Sequence, residues 1–208
     1  KGGCLAELYT HPVTQEAHAH LTYLGTLPAY EGQGIGKNLI MGRMALLHDM
    51  AKEMGTSLSS VFIEVCNDNL VNREKFFGLG ARLGPEGFCR PEVGDANRIE
   101  THYRDMFYPV NGRYPDPRTI MDARACYWRA EGQAHPEQHP DFQAMQRRID
   151  TEWHGFLDKN DLVVMENPAF QEKLDRFCSE FSLIKHDGNT AKPAPAMTEH
   201  EIVPVLAR

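Results

Sequence analysis

The stretch Glu31-Gly32-Gln33-Gly34-Ile35-Gly36-Lys37 has the spacing most open to a chemical reading. It lies between a β-type run and an amphipathic run, so it is a strand–turn–helix junction. Glycines at such a junction let an anion approach the backbone, and the free N–H groups and dipole of the helix start point at it. Two phosphate loops fail here. A P-loop needs GxxxxGK followed by Ser or Thr, but Gly36-Lys37 is followed by Asn38, and Glu31 stands where the first glycine belongs. A dinucleotide fingerprint needs a third glycine at Lys37 or Leu39. The remaining option is a pyrophosphate cradle made of backbone alone. The same residues would also serve a tight turn that binds nothing.

Other reactive side chains are scattered. His18 and His20 are close in sequence, but no HExxH and no Cys/His zinc spacing occurs, so no metal is expected. Cys4, Cys66, Cys89, Cys126 and Cys178 are odd in number and form no CxxC. That pattern reads as reduced thiols in a cytoplasmic protein.

The elements that must position the turn can be read from periodicity. Strands are expected at 4–9 and 18–27, the second closed by Pro28. A helix should run from the turn to Met54, with Ile40, Met44, Leu47, Ala51 and Met54 on one face and Gly55 as its cap. Val61–Val65 is a third strand, and Asn67-Asp68-Asn69 starts a helix that ends near Gly78-Leu79-Gly80. Residues 81–83 and 103–110 read as strands with an exposed loop between them.

The composition changes at a connector over 111–117, and the chain beyond it reads as all-helical. Helices are expected over 118–131, over 141–157 (stripe Phe142, Met145, Ile149, Trp153, Phe156) and over 168–184 (stripe Phe170, Leu174, Phe177, Phe181, Ile184). A polar, Pro/Ala-rich tail begins at His186. This divides the chain into a core, 1–111, and a helical extension with an extended tail, 112–208, packed on that core.

Composition narrows the function classes. The 208 residues are 41% hydrophobic and 25% charged, which suits a folded globular chain. A net charge of −7 argues against a nucleic-acid partner, and no apolar run is long enough to suggest a membrane span. The opening Lys1-Gly2-Gly3 has neither an initiator methionine nor a signal-peptide pattern, and reads as a processed or trimmed start.

Residues 24–36, LGTLPAYEGQGIG, resemble the acyl-CoA-binding motif of the GNAT superfamily of N-acetyltransferases. Its usual form is a strand ending in Val-x-Pro-x-Tyr, then Arg-Gly-Gln-Gly-Ile-Gly, then a helix. The spacing of Asn69, Phe76 and Gly80 resembles that family's second motif. Together the two cover roughly residues 18–83. The resemblance implies an α/β fold, a GNAT-like mixed twisted sheet with flanking helices. The sheet should splay near 24–27 and 61–66 to admit the pantetheine arm, and a C-terminal helical extension should come after it. GNAT folds usually carry further elements ahead of this motif, so the N-terminal part is missing or replaced, and the helices after residue 117 are expected to cover the surface those elements would cover.

The resemblance also implies site residues. The backbone from Leu24 to Thr26 would pair with the pantetheine arm. Amides of Gln33, Gly34, Ile35, Gly36 and Lys37 would hold the pyrophosphate of acetyl-CoA or another acyl-CoA. Lys37 and Arg73 would reach outlying phosphates or stand as solvated charges, and Asn69 would touch the cofactor arm, cap its helix, or do both. Two departures stand out. Glu31 replaces the usual Arg or Gln, and Phe76 replaces the tyrosine that protonates the leaving thiolate. For the base, His20 is the first candidate, since an unperturbed imidazole titrates near 6.5. Tyr23 and Cys66 are weaker ones, and all three would serve equally as ordinary strand or core residues. The expected activity is N-acyl transfer to a small-molecule or peptide amine by direct attack on the thioester, with no covalent enzyme intermediate. A non-catalytic or regulatory acyl-CoA-binding module is one alternative, an acyltransferase or thioester-cleaving enzyme using a non-acetyl acyl thioester is the other, and a homodimer stays open.

Overall fold

The computed structural model describes residues 2–85, 89–92, 95–157 and 163–186. The core is a mixed sheet whose strand order comes from the pairing of its strands. β1 (Gly2–Thr10) runs antiparallel to β2 (Ala17–Thr26), and β2 runs parallel to β3 (Leu58–Cys66) through the crossover helix α1 (Ile35–Glu53). After helix α2 (Leu70–Gly78) come β4 (Arg82–Leu83), a separate hairpin of β5 (Arg90–Glu92) and β6 (Asp95–Glu100), and β7 (Tyr103–Tyr108). Helices α3 (Pro117–Ala130) and α4 (Pro140–Glu152) come next, then β8 (Phe156–Leu157), β9 (Val163–Val164) and helix α5 (Pro168–His186). The large sheet has the order β1-β2-β3-β7-β4-β8-β9. This is the α/β class, a mixed sheet with flanking helices, that the resemblance implies.

Period decides which face each helix covers. Ile40, Met44, Leu47 and Ala51 recur at spacings of four and three and are at most 2% exposed. They pack on Ala19, Leu21, Val61, Ile63 and Val65, the alternate residues of β2 and β3. Met54 leaves this stripe, because the helix ends there. Gly55, at φ +73°, sends its N–H to the Lys52 carbonyl while the Thr56 N–H bonds to Ala51, the two bonds of a Schellman cap. Helix α3 starts where Asp116 accepts from the Thr119 N–H at 2.8 Å, with Pro117 in the first turn.

The C-terminal helices divide between the two faces. Ile120 and Trp128 of α3 and Phe142, Met145 and Ile149 of α4 form a second cluster with Phe62 and Phe107 on the opposite face of the sheet. Phe170 and Leu174 of α5 join the first cluster beside α1. One face of the sheet is thus covered by α1 with α5 beside it, and the other by α3 and α4.

Several expectations need correcting. Helix α4 stops at Glu152, so Trp153 and Phe156 are not on its stripe. The chain turns into β8 instead, and both rings still reach the second cluster, which is why the apolar period runs on past the helix. The extension is not all-helical, since β8 and β9 lengthen the sheet. The loop expected between 83 and 103 contains the β5–β6 hairpin. β7 ends at Tyr108, with Val110 bridging to Arg113. The side chains of Phe181 and Ile184, and the tail from residue 187, lie outside the described residues. No described helix is long and apolar enough to cross a membrane.

Candidate active site

β2 and β3 pair only from Ala17 to His20 and from Leu58 to Phe62. Beyond that, Leu21–Thr26 stay with β1 while Ile63–Cys66 stay with β7. The cause is local. Glu7 pairs with His20 and Leu5 with Tyr23, so one residue of β1 opposes two of β2, a bulge at Leu21–Thr22. A bulge bends its strand, and here it turns β2 away from its parallel neighbour. Among the described residues no strand pairs with the inner edge of residues 21–26.

One side of this gap opens on a cleft of about 580 Å³. Leu24, Gly25 and Thr26 line it from β2, and Gly34, Ile35, Gly36 and Lys37 line it from the glycine turn. Gly34 has φ +74°, a conformation that favours glycine, and no side chain among the described residues caps the helix it precedes. The first α1 bond runs from the Asn38 N–H to the Gly34 carbonyl, so the earlier amides of the turn have no intrahelical partner among the described residues. A Cβ at Gly34 or at Gly36 would meet no atom within 4 Å, so both glycines border open space.

The sequence-derived residues distribute unevenly. Leu24, Thr26, Gly34, Ile35, Gly36 and Lys37 line the cleft. Gln33 is exposed in the turn beside it. Asn69 acts as the α2 cap, its Oδ1 accepting from the Asn72 N–H at 3.1 Å. Arg73 reaches back to the Asn67 carbonyl at 3.5 Å and does not border the cleft. From α2 the lining comes instead from Asn72, Lys75 and Phe76, and Glu31 borders it too. Tyr23 is 57% exposed, and its hydroxyl folds over the backbone of Gly25.

On the other face of the sheet lies a buried polar cluster. Glu64 of β3 is ion-paired with Arg90 of β5, and His20 Nε2 stands 3.8 Å from Glu64 Oε2. Arg90 also donates to the Tyr127 hydroxyl at 3.2 Å and lies over the Tyr103 ring. Next to Glu64 across the strand pair is Asp105, buried and bonded by Arg124 Nε at 2.8 Å. Burial pushes the Glu64 carboxyl up to about 8, with the Asp105 charge adding to the rise, against the pull of Arg90.

His20 behaves differently from the sequence expectation. Its ring stacks on Phe62 at 4.7 Å and meets Tyr127 edge-on at 4.9 Å. Burial, with a smaller contribution from the Arg90 charge, lowers it to about 4. It is neutral at pH 7 and a weak proton acceptor. Sequence reasoning missed Glu64. The signal was present, because a lone carboxylate in Val61-Phe62-Ile63-Glu64-Val65 must be buried with partners or face a site. All five cysteines are free, and only Cys66 is exposed, at the end of β3. Among the described residues no group of three His, Cys, Asp or Glu side chains is placed to hold a metal.

No protein-family model and no curated protein matches the chain. It is similar to several solved structures over about half its length. Chaetomium thermophilum Naa20, in complex with a bisubstrate analogue, is 19% identical over 51% of this chain and 58% of its own, with a TM-score of 0.37. Arabidopsis thaliana Naa50, also with a bisubstrate analogue, is 16% identical over 52% of this chain and 65% of its own, with a TM-score of 0.37. The ribosomal-protein-S18-alanine N-acetyltransferase of Escherichia coli is 19% identical over 45% of this chain and 54% of its own, with a TM-score of 0.31. The chain spans less than two thirds of each of these solved chains.

Proposed function

We propose that the protein is an acyl-CoA-dependent N-acyltransferase, transferring an acetyl or other acyl group from the thioester to an amine. One observation carries this reading. The strand gap has a backbone-lined anion cradle on one side and a buried carboxylate with a raised pKa on the other. Acyl-CoA supplies the activated acyl group. The free amides at the start of α1 suit its pyrophosphate, and the unpaired inner edge of Leu24–Thr26 suits the amides of its pantetheine arm, as an added strand would.

Glu64 is the base in this proposal. An amine must lose its proton to attack, and the most useful base has a pKa near the working pH. Burial brings the Glu64 carboxyl up to about 8, close to such a pH. A peptide or small-molecule amine is the acceptor in this proposal. His20 holds the carboxylate side of the site as a neutral, stacked neighbour. The new C–N bond forms as the C–S bond breaks, the amine proton goes to Glu64, and the thiolate leaves. Phe76 borders the cleft and has no proton to give, so the thiolate takes one from water.

Glu31 and Phe76, both on the cleft wall, favour a second reading, a module that binds acyl-CoA without turnover. The experiment is incubation with acetyl-CoA and a panel of peptide and small amines, following free thiol and acylated amine together. Equal amounts of both support transfer. Binding without either supports the second reading, and thiol without acylated amine supports thioester cleavage.

A further inference from the structure

A second cavity, about 310 Å³, adjoins the cleft and shares Lys37 and Leu79 with it. It lies between the first turns of α1, the end of α2 and the start of α5. Three of its lining residues are cations, Lys37, Arg82 and Lys173, and none is acidic, in a chain with a net charge of −7. Neither lysine has an ion-pair partner among the described residues. Arg82 lies over the Phe77 ring and donates through one terminal nitrogen to the Phe77 and Ala81 carbonyls, while its buried Nε has no partner among the described residues.

The walls are built rather than incidental. Gly80, at φ +100°, packs so closely on Phe170 that a Cβ there would come within 2.5 Å of the ring. The Gly80 carbonyl accepts from the Tyr114 hydroxyl at 2.7 Å, and Asn167 Nδ2 donates to the same hydroxyl at 3.2 Å. The Asn167 Oδ1 in turn caps the first turn of α5. These contacts hold the end of α2 against α5 and bring Lys173 to the same cavity as Lys37.

We propose that this cavity is an anion subsite that takes the 3′-phosphate end of CoA, with Lys173 of the C-terminal extension as a binding residue. The inference rests on the acyl-CoA reading above. A ligand whose pyrophosphate lies on the 33–37 turn extends its nucleotide away from the thioester, and Lys37 belongs to both spaces. A phosphomonoester carries close to two negative charges near neutral pH, which suits a cavity lined by three cations and no acid. The apolar remainder of the wall, with Met41 and Phe170, suits a purine.

The test is calorimetric titration of acetyl-CoA and of its 3′-dephospho form at low salt. The wild type should prefer the phosphorylated ligand by about tenfold, the usual scale for one charge-assisted contact. Lys173→Gln should lose most of that preference with unchanged affinity for the dephospho ligand, and Lys173→Glu should lose it entirely. Inorganic phosphate should weaken binding of acetyl-CoA by occupying the subsite. Equal affinity of the wild type for both ligands overturns the subsite and leaves the acyl-CoA reading standing. An unchanged preference in both Lys173 variants overturns the role of α5. Phosphate that binds alongside acetyl-CoA without competing assigns the cavity to a separate anion and also overturns the proposal. Failure of both ligands to bind the wild type removes the acyl-CoA reading itself.

Discussion

Replacing Glu64 with glutamine separates the proposed base from the rest of the site. The side chain keeps its size but can no longer accept the amine proton. Loss of a positioned base costs typically about 10²–10⁴-fold in rate, so kcat/KM for Glu64→Gln should fall within that range. Affinity for acetyl-CoA should stay within a few-fold, since the cradle at 33–37 lies on the other side of the strand gap. In the wild type, activity should rise with pH through about 8, because only the ionised carboxylate accepts a proton, and with an acceptor amine whose own pKa lies well above 8 the variant should lose that rise. Stability gives an independent readout. Glu64 goes from an ordinary 4.5 to about 8 on folding, so the folded state holds its proton more tightly. The associated stability is fully present below about pH 4.5 and is lost as pH rises through 8. At about 1.4 kcal/mol per unit the loss is at most about 5 kcal/mol. Urea unfolding at pH 5 and pH 9 should therefore show the wild type weakening relative to Glu64→Gln. A variant with wild-type turnover, or one whose stability tracks the wild type across that interval, would refute the reasoning.

Four further outcomes are expected. His20→Gln should slow turnover less than Glu64→Gln and keep the inflection near 8; a lost inflection would return the proton transfer to His20. The same variant should soften acid denaturation, because His20 falls from 6.5 to about 4 on folding and its contribution is lost as pH falls through that range. Phe76→Tyr should leave turnover equal or faster, measured as thiol release, since a hydroxyl on the cleft wall adds a proton donor; strong inhibition would place the leaving thiol elsewhere. Deleting residues 112–208 strips Ile120, Trp128 and Phe142 from Phe62 and Phe107 and should give an aggregating chain by light scattering; a soluble, cooperatively melting remainder would show that the core stands alone.

The glycine turn was legible because a backbone cradle needs residues that are contiguous. So was α1, whose stripe holds from Ile40 to Ala51 and whose end is marked by Gly55. The polar cluster was not. Glu64 reads as the odd polar residue of an apolar strand, and its partners Arg90 and Tyr127 come from a hairpin and a helix that only folding brings near. His20 looked suitable because an isolated imidazole titrates in the right range, and the stacking of Phe62 and Tyr127 that removes it from that range leaves no local mark. β8 and β9 are two residues each, too short to carry a period, and Phe156 therefore passed as the end of a helical stripe. The bulge at Leu21–Thr22 that opens the gap is likewise a matter of register between two strands.

The central claim is that the turn at 33–37 is an acyl-CoA cradle, and Gly36→Leu tests it most directly. Gly36 does not sit at positive φ and a Cβ there meets nothing within 4 Å, so leucine folds without strain while its side chain fills space the ligand needs. Calorimetric titration of acetyl-CoA should show one site per chain in the wild type and binding weakened by at least about tenfold in Gly36→Leu, with the melting temperatures of the two apo proteins alike. Wild-type affinity in a correctly folded Gly36→Leu would contradict the account.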